Sequence, residues 1–453
     1  MMSFRRRFLK RGSGSIVFFS VVMGFAQTGP GGVGSNDGGS SLKIWYNSSS
    51  GVVTTGTTID SLRNLAGVAE LDVGEVGGQR PTLVANAVNG YDEISFSGSN
   101  RLRTGLTLTP ANFITDEASS FLVTRADNLT QRSCVYTTDP LVGSTRFTNH
   151  IPWNRTVYYD IGTCCGSNAR IQVGGLSGLL NYSYWSYDAH PSTGKQLYRN
   201  GALLQNRANT TTYTSYASQR FNVGGNTSGT QGFRGDVTEL IVFNQRVNSA
   251  QRIIIENYLA AKFGLSSSAN NLYDEDDAAN GDFDHDVAGI GRIDASNFHD
   301  DAQGTGIVRV SGPTDLEDNE FLLWGHNNGT LAMTVTTNIP VGASRARLDR
   351  IWRVSEVNPS GVAVDVGTIT VSVDMNGVTG FNASDVLQLL VDTDNDGSFT
   401  DETPIANAVA LGSNRYQFNS VAALTNNTRF TFSAGVINTV ITNRKITYRV
   451  KPN

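Results

Sequence analysis

The stretch Asp392-Thr-Asp394-Asn-Asp396-Gly397-Ser398-Phe-Thr-Asp401 places three carboxylates at every second position, with a glycine directly after the third. Calcium takes six to eight hard oxygen ligands at about 2.3–2.6 Å, and a chain that turns sharply at a glycine can wrap such carboxylates around one ion. The expected ligands are Asp392, Asp394, Asp396, the backbone carbonyl of Ser398, and Asp401 or Glu402. Thr403 stands where an EF-hand loop carries its last glutamate, and Val386 to Val391 reads as a strand, so the ion is expected to have a structural role. Asp282, Asp284 and Asp286 repeat the spacing with Val287 in place of the glycine and read as a solvated acidic loop.

Glu70-Leu-Asp72-Val-Gly-Glu75 offers a second chemistry, since two carboxylates flanking a glycosidic bond can hydrolyse it as nucleophile and acid/base. Glu70 and Asp72 alternate as a strand requires, whereas Glu75 needs a bulge, and Gly74, Gly77 and Gly78 crowd that stretch. Binding is the stronger expectation. Aromatic rings stack on sugar faces, and Trp153, Tyr182, Tyr184 and Trp185 are the expected ligand-binding residues. Alternation puts Tyr182 and Tyr184 on one face of their strand and Trp185 and Tyr187 on the other, so one pair is expected to be core. Trp45, Trp324 and Trp352 sit in apolar strands and are expected to pack. His150, His190, His285, His299 and His326 are scattered, form no triad with serine and aspartate, and are expected at the surface or in turns. Arg234-Gly235-Asp236 spells an integrin-type tripeptide inside a strand block and reads as chance.

The elements that must position these residues are mostly strands. The 453 residues suggest two domains, and 48 glycines with only 17% charged residues suit short strands joined by turns. Arg5, Arg6, Arg7, Lys10 and Arg11 precede an apolar run from Ile16 to Phe25, the pattern of a secretory signal peptide over residues 1–26. Five basic and no acidic residues leave with it, so the formal charge falls from −5 to −10 and nucleic acid is excluded as a favoured partner. Residues 27–41 read as a flexible Gly/Ser-rich lead-in. Runs such as Glu93–Phe96, Ser120–Thr124, Arg155–Tyr159 and Gln196–Tyr198 read as strands, and Asn200-Gly201 as a type I′ hairpin turn. One helix is expected from Ser249, its cap, to Gly264. Residues 266–285 read as an acidic linker, 286–435 as further strands and 436–453 as a tail. Cys134 is expected to pair with Cys164 or Cys165 if a disulfide forms, because adjacent cysteines rarely bond each other.

Several phrases resemble the laminin-G-like modules of the concanavalin A-like superfamily found in exported bacterial proteins associated with type nine secretion. They are Gly29–Gly34 with Lys43-Ile-Trp45, Arg80–Leu102, Lys195–Gly201, and Gly235–Phe243 with the helix to Gly264. Asp286–Arg292, Phe321–His326 and Leu348–Val354 resemble a β domain of unknown function that follows such modules. The Glu70–Glu75 spacing is similar to that of laminarinase-like hydrolases, but falls in a variable loop of the laminin-G-like pattern. The resemblance implies an all-β fold: a concanavalin A-like jelly-roll β-sandwich over 42–265 with a short C-terminal helix, then a second β-sandwich-like domain. It implies an extracellular or outer-surface module that binds polysaccharide, glycoprotein or matrix, with a glycoside hydrolase and a structural surface protein as alternatives. Ile446–Lys451 resembles a terminal strand with no sorting domain after it.

Overall fold

A computed structural model of the chain describes residues 27–141, 145–165, 170–208, 213, 218–382 and 384–435. The expected signal peptide at 1–26 and the tail at 436–453 lie outside the described residues. Among the described residues the fold is nearly all β, with one α-helix, Ser249–Phe263. Among the described residues no helix is long and apolar enough to cross a membrane.

The front portion is a jelly-roll sandwich of antiparallel strands. One layer runs Ala202–Arg207, Gly194–Arg199, Ser183–His190, Ala118–Ala126, Arg234–Phe243 and Leu42–Asn47. The facing layer includes Arg170–Gly174, Thr156–Gly162, Arg146–Trp153, Tyr136–Asp139, Arg220–Val223 and Leu102–Thr104. Side chains alternate across a strand, so each layer sends every second residue inward. Trp185, Tyr187, Leu122 and Leu240 meet Phe147, Tyr159, Tyr136 and Phe221 in this core. Asn200 and Gly201, at φ 49° and 80°, make the hairpin turn that their type requires.

The helix covers the outer face of the first layer. Asn248, rather than Ser249, caps it: its Oδ1 accepts from Gln251 N at 3.0 Å while Asn248 N donates to Gln251 Oε1 at 3.1 Å, a reciprocal box that a hydroxyl at the next position cannot form. Gly264 closes the other end in the left-handed conformation. The helix is buried nearly all round, because Phe121, Tyr184, Ile241 and Phe243 of the jelly roll flank it on one side and Val287, Phe321 and Leu323 of the second portion on the other.

That second portion is itself a pair of antiparallel sheets. One contains His285–Asp294, Glu320–His326, Trp352–Val357, Arg429–Gly435 and Leu387–Asp392; the other contains Val308–Ser311, Ile369–Asp374 and Arg415–Val421. Trp324, Trp352, Phe430, Phe432 and Phe418 fill the space between them.

Two segments expected to be loose are packed. In the Gly/Ser-rich lead-in, Pro30–Gly32 is buried, and Gln27 O accepts from Gln303 N at 3.0 Å and Gly304 N at 2.9 Å. Gly32 has φ 88° and lies so close to Ala302 that a Cβ would stand 2.5 Å from the alanine Cβ, so glycine here permits docking rather than motion. In the acidic stretch, Leu272, Tyr273 and Glu275 are buried, and Glu275 Oε2 lies 2.7 Å from Arg353 Nε. A mostly polar stretch anchored by the buried side chains of Leu272, Tyr273 and Phe283 looks like a linker in sequence but packs as part of the junction.

Candidate functional site

The outward face of the second jelly-roll layer carries a cleft of about 230 Å³ lined by Arg146, His150, Trp153, Tyr158, Cys165, Arg170 and Gln231. Its walls follow from strand alternation: Phe147, Ile151, Val157, Tyr159 and Ile171 point into the core, so Arg146, His150, Tyr158 and Arg170 point out. The register sets His150 opposite Tyr158 and Asp160 opposite Arg170.

Arg170 grips Asp160 with two hydrogen bonds, Nε to Oδ1 at 2.8 Å and Nη2 to Oδ2 at 2.5 Å, and its guanidinium carbon lies 4.2 Å from the centre of the Tyr158 ring. Asp160 is fully buried beneath it. His150 is also buried; its Nδ1–H donates to the Ser133 carbonyl at 2.6 Å, which leaves Nε2 as the acceptor. Burial, only partly offset by Asp160, lowers the imidazole pKa to about 4, so the ring is neutral at ordinary pH. The His150 ring meets Trp153 edge-on at 5.0 Å and Tyr158 at 6.1 Å. Burial lowers the Arg146 pKa. Arg146 Nε and Gln231 Oε1 are inaccessible atoms without hydrogen-bond partners, a cost of burying this wall. Arginine side chains and aromatic rings converge on one concavity. Wider grooves elsewhere differ: the one of about 490 Å³ beside Arg292, Leu316 and Glu317 offers a single ring, Phe298.

Of the expected binding residues, Trp153 lines this cleft and the others do not. Tyr184 and Trp185 are each 1% exposed, the first against the helix and the second in the sandwich core, so neither can offer a ring to a ligand. Both faces of their strand are covered, where the sequence suggested one. Tyr182 is half-buried and committed: its hydroxyl donates to Glu93 Oε2 and its ring lies 5.5 Å beneath the Arg125 guanidinium. The missed residues Arg146, His150, Tyr158 and Arg170 left a faint signal, polar side chains at alternate positions of three neighbouring strands.

The cysteine expectation is corrected. Cys164 and Cys165 are bonded to each other beside the cleft, and Cys134 is a buried free thiol whose Sγ faces the Gln231 carbonyl at 3.5 Å. The histidines are corrected too, since His150, His299 and His326 are buried. Of the acidic triplet expected to be a solvated loop, Asp282 is exposed, Asp286 is half-buried and Asp284 is buried. Asp284 accepts from Asn89 Nδ2 at 2.7 Å, and Asp286 accepts from His326 Nε2 at 2.9 Å and from the Thr305 hydroxyl. Burial alone would raise the Asp286 pKa, but His326, Thr305 and Arg350 outweigh it and bring it to about 2.

The hydrolase pair is not built on one strand. Glu70 lies in the short 3-10 turn Ala69–Leu71, and Glu75, on Val73–Glu75, accepts from Gly78 N at 2.6 Å; both are exposed. Asp236 of the Arg-Gly-Asp tripeptide is buried and paired with Arg125 at 2.5 Å, out of reach of a partner.

The metal-ligand expectations fall on one loop. Asp392, Asp394 and Asp396 each bring a carboxylate oxygen within 4.8 Å of the others, and Asp401 is not part of that convergence. Ser398 Oγ contacts Asn338 Oδ1 at 3.2 Å. Glu402 instead clasps the loop, accepting from Thr393 N at 2.7 Å and from its hydroxyl.

Residues 251–428 match the family described as "Domain of unknown function (DUF8202)". No curated protein sequence matches the chain significantly. Solved structures similar to it include domain 4 of AbnA, a GH43 extracellular arabinanase from Geobacillus stearothermophilus, in complex with arabinotriose. That match has 13% identity, 45% of this chain and 93% of the other, and a TM-score of 0.35. The Trypanosoma rangeli sialidase in complex with the inhibitor DANA matches at 14% identity over 47% of this chain, TM-score 0.32, and the chain spans only 32% of its length. The binding domain of botulinum neurotoxin DC in complex with rat synaptotagmin II matches at 10% identity over 83% and 98%, TM-score 0.32. At these values none assigns a ligand to this chain.

Proposed function

We propose that the chain is an exported, non-catalytic binding module whose jelly roll recognises a glycan, on a polysaccharide, glycoprotein or matrix surface, at the Arg146–Trp153–Tyr158 cleft. The observation that carries this reading is the convergence of the partly exposed Trp153 and Tyr158 rings with the Arg146 and Arg170 side chains on one cleft. An aromatic plane beside a few fixed polar groups is how proteins hold a sugar ring, apolar on one face and hydroxylated at its edge. Two guanidiniums against the single buried carboxylate of Asp160 favour a sugar bearing an acidic substituent.

Glycan-array and calorimetric binding by the full chain tests it. Uronate- or sulfate-bearing glycans are expected to bind more tightly than neutral ones, with Trp153→Ala weakening binding about tenfold or more. Equal binding by Trp153→Ala and Arg146→Ala variants would move the site elsewhere. An assay on laminarin-type glucans, with Glu70→Gln as control, separates the hydrolase alternative; no released sugar is expected.

A further inference from the structure

The loop that leaves the strand Leu387–Asp392 holds hard oxygen donors that the glycan reading does not use. One oxygen from each of Asp392, Asp394 and Asp396 lies within 4.8 Å of the others. Two ligands on opposite sides of a calcium ion stand at most ~5 Å apart, so a single ion can touch all three. Among the described residues the cation in contact with them is Arg429, whose Nη1 is 3.3 Å from Asp392 Oδ2, and one positive charge does not balance three carboxylates.

Asp392 adds an observation independent of charge crowding. The residue is fully buried, and Oδ2 is satisfied by Gly397 N at 2.9 Å and by Arg429, yet Oδ1 has no hydrogen-bond partner. A buried carboxylate oxygen left bare is costly, and a bound cation is what such an oxygen lacks. Around it the loop is already set: Gly397 has φ 88°, Asn338 Oδ1 accepts from Phe399 N at 2.6 Å, and the Phe399 side chain is buried.

We propose that Asp392, Asp394 and Asp396 bind one divalent cation of calcium's class, with the Ser398 carbonyl and water completing its shell, and that the ion clamps the loop between Asp392 and Phe399 onto the second β-sandwich. The donor set is oxygen only, without the imidazole or thiolate that zinc or copper prefers.

The test uses the full chain freed of metal with a chelator, titrated calorimetrically with calcium chloride and melted with and without it. One calcium per chain is expected, with a rise in Tm of at least about 2 °C at saturating calcium. An Asp394→Asn/Asp396→Asn variant, altered at two exposed positions, is expected to keep its metal-free Tm and lose the calcium response. If that variant melts early without metal, the single Asp394→Asn variant is judged by the same criterion. No heat and no shift for the unaltered chain at millimolar calcium, or an undiminished shift in the variant, overturns the proposal. An equal response to magnesium chloride overturns the assignment to calcium's class, because the smaller ion demands a tighter shell.

Discussion

Lys262 Nζ lies 2.6 Å from Glu239 Oε2, joining the last turn of the helix to the strand Arg234–Phe243 of the jelly roll inside a nearly dry interface. Glu239 Oε1 also accepts from Trp45 Nε1 at 2.6 Å and Tyr258 Oη at 2.9 Å, so the carboxylate is saturated with donors. Removing one member of such a pair leaves the other charge buried. Lys262→Met is therefore expected to cost about 3 kcal/mol, and the Lys262→Met/Glu239→Gln double variant less than the sum of its parts. Denaturant unfolding of the four proteins checks this; additive losses would mean that the two groups do not act together.

Asp160 holds Arg170 over the Tyr158 ring. Asp160→Asn is expected to cost about 2–4 kcal/mol and to loosen the cleft wall. Glycan affinity should fall along with stability in this variant, whereas Trp153→Ala should lower affinity alone. Parallel melts and binding titrations distinguish the two patterns.

His150 gives a pH signature. Its pKa is about 4 in the fold against 6.5 in a free chain, so the unfolded chain takes up the proton first on acidification. The stability tied to the neutral ring is complete above pH 6.5 and is lost as pH falls from 6.5 to 4. The unaltered chain is expected to lose about 2 kcal/mol more than a His150→Gln variant across that window. Unfolding curves at several pH values measure the difference; parallel curves would show that His150 does not titrate this way.

Gly32 touches Ala302 across the junction, and any side chain there meets both a positive φ and a 2.5 Å contact. Gly32→Ala is expected to cost about 1–3 kcal/mol and to release the lead-in, so that limited proteolysis cuts within residues 27–41 while the jelly roll survives. A lead-in as resistant as in the unaltered chain would show that this contact does not hold it down.

The sequence by itself determined the β-strand class, the hairpin turn at Asn200-Gly201, the helix and its glycine stop, and the Asp392–Asp396 spacing, because each is written within a few consecutive residues. Period-two alternation also told which residues of a strand share a face. Only the tertiary structure decided what covers each face. The helix lies on the outer side of Ser183–His190, so Tyr184 is buried on one side and Trp185 on the other, while Arg146, His150, Tyr158 and Arg170 are brought together from three strands. Docking of the two portions likewise turned a glycine-rich lead-in and an acidic stretch into packed structure. Burial and convergence depend on residues far apart in the chain, and no local pattern of residue types encodes them.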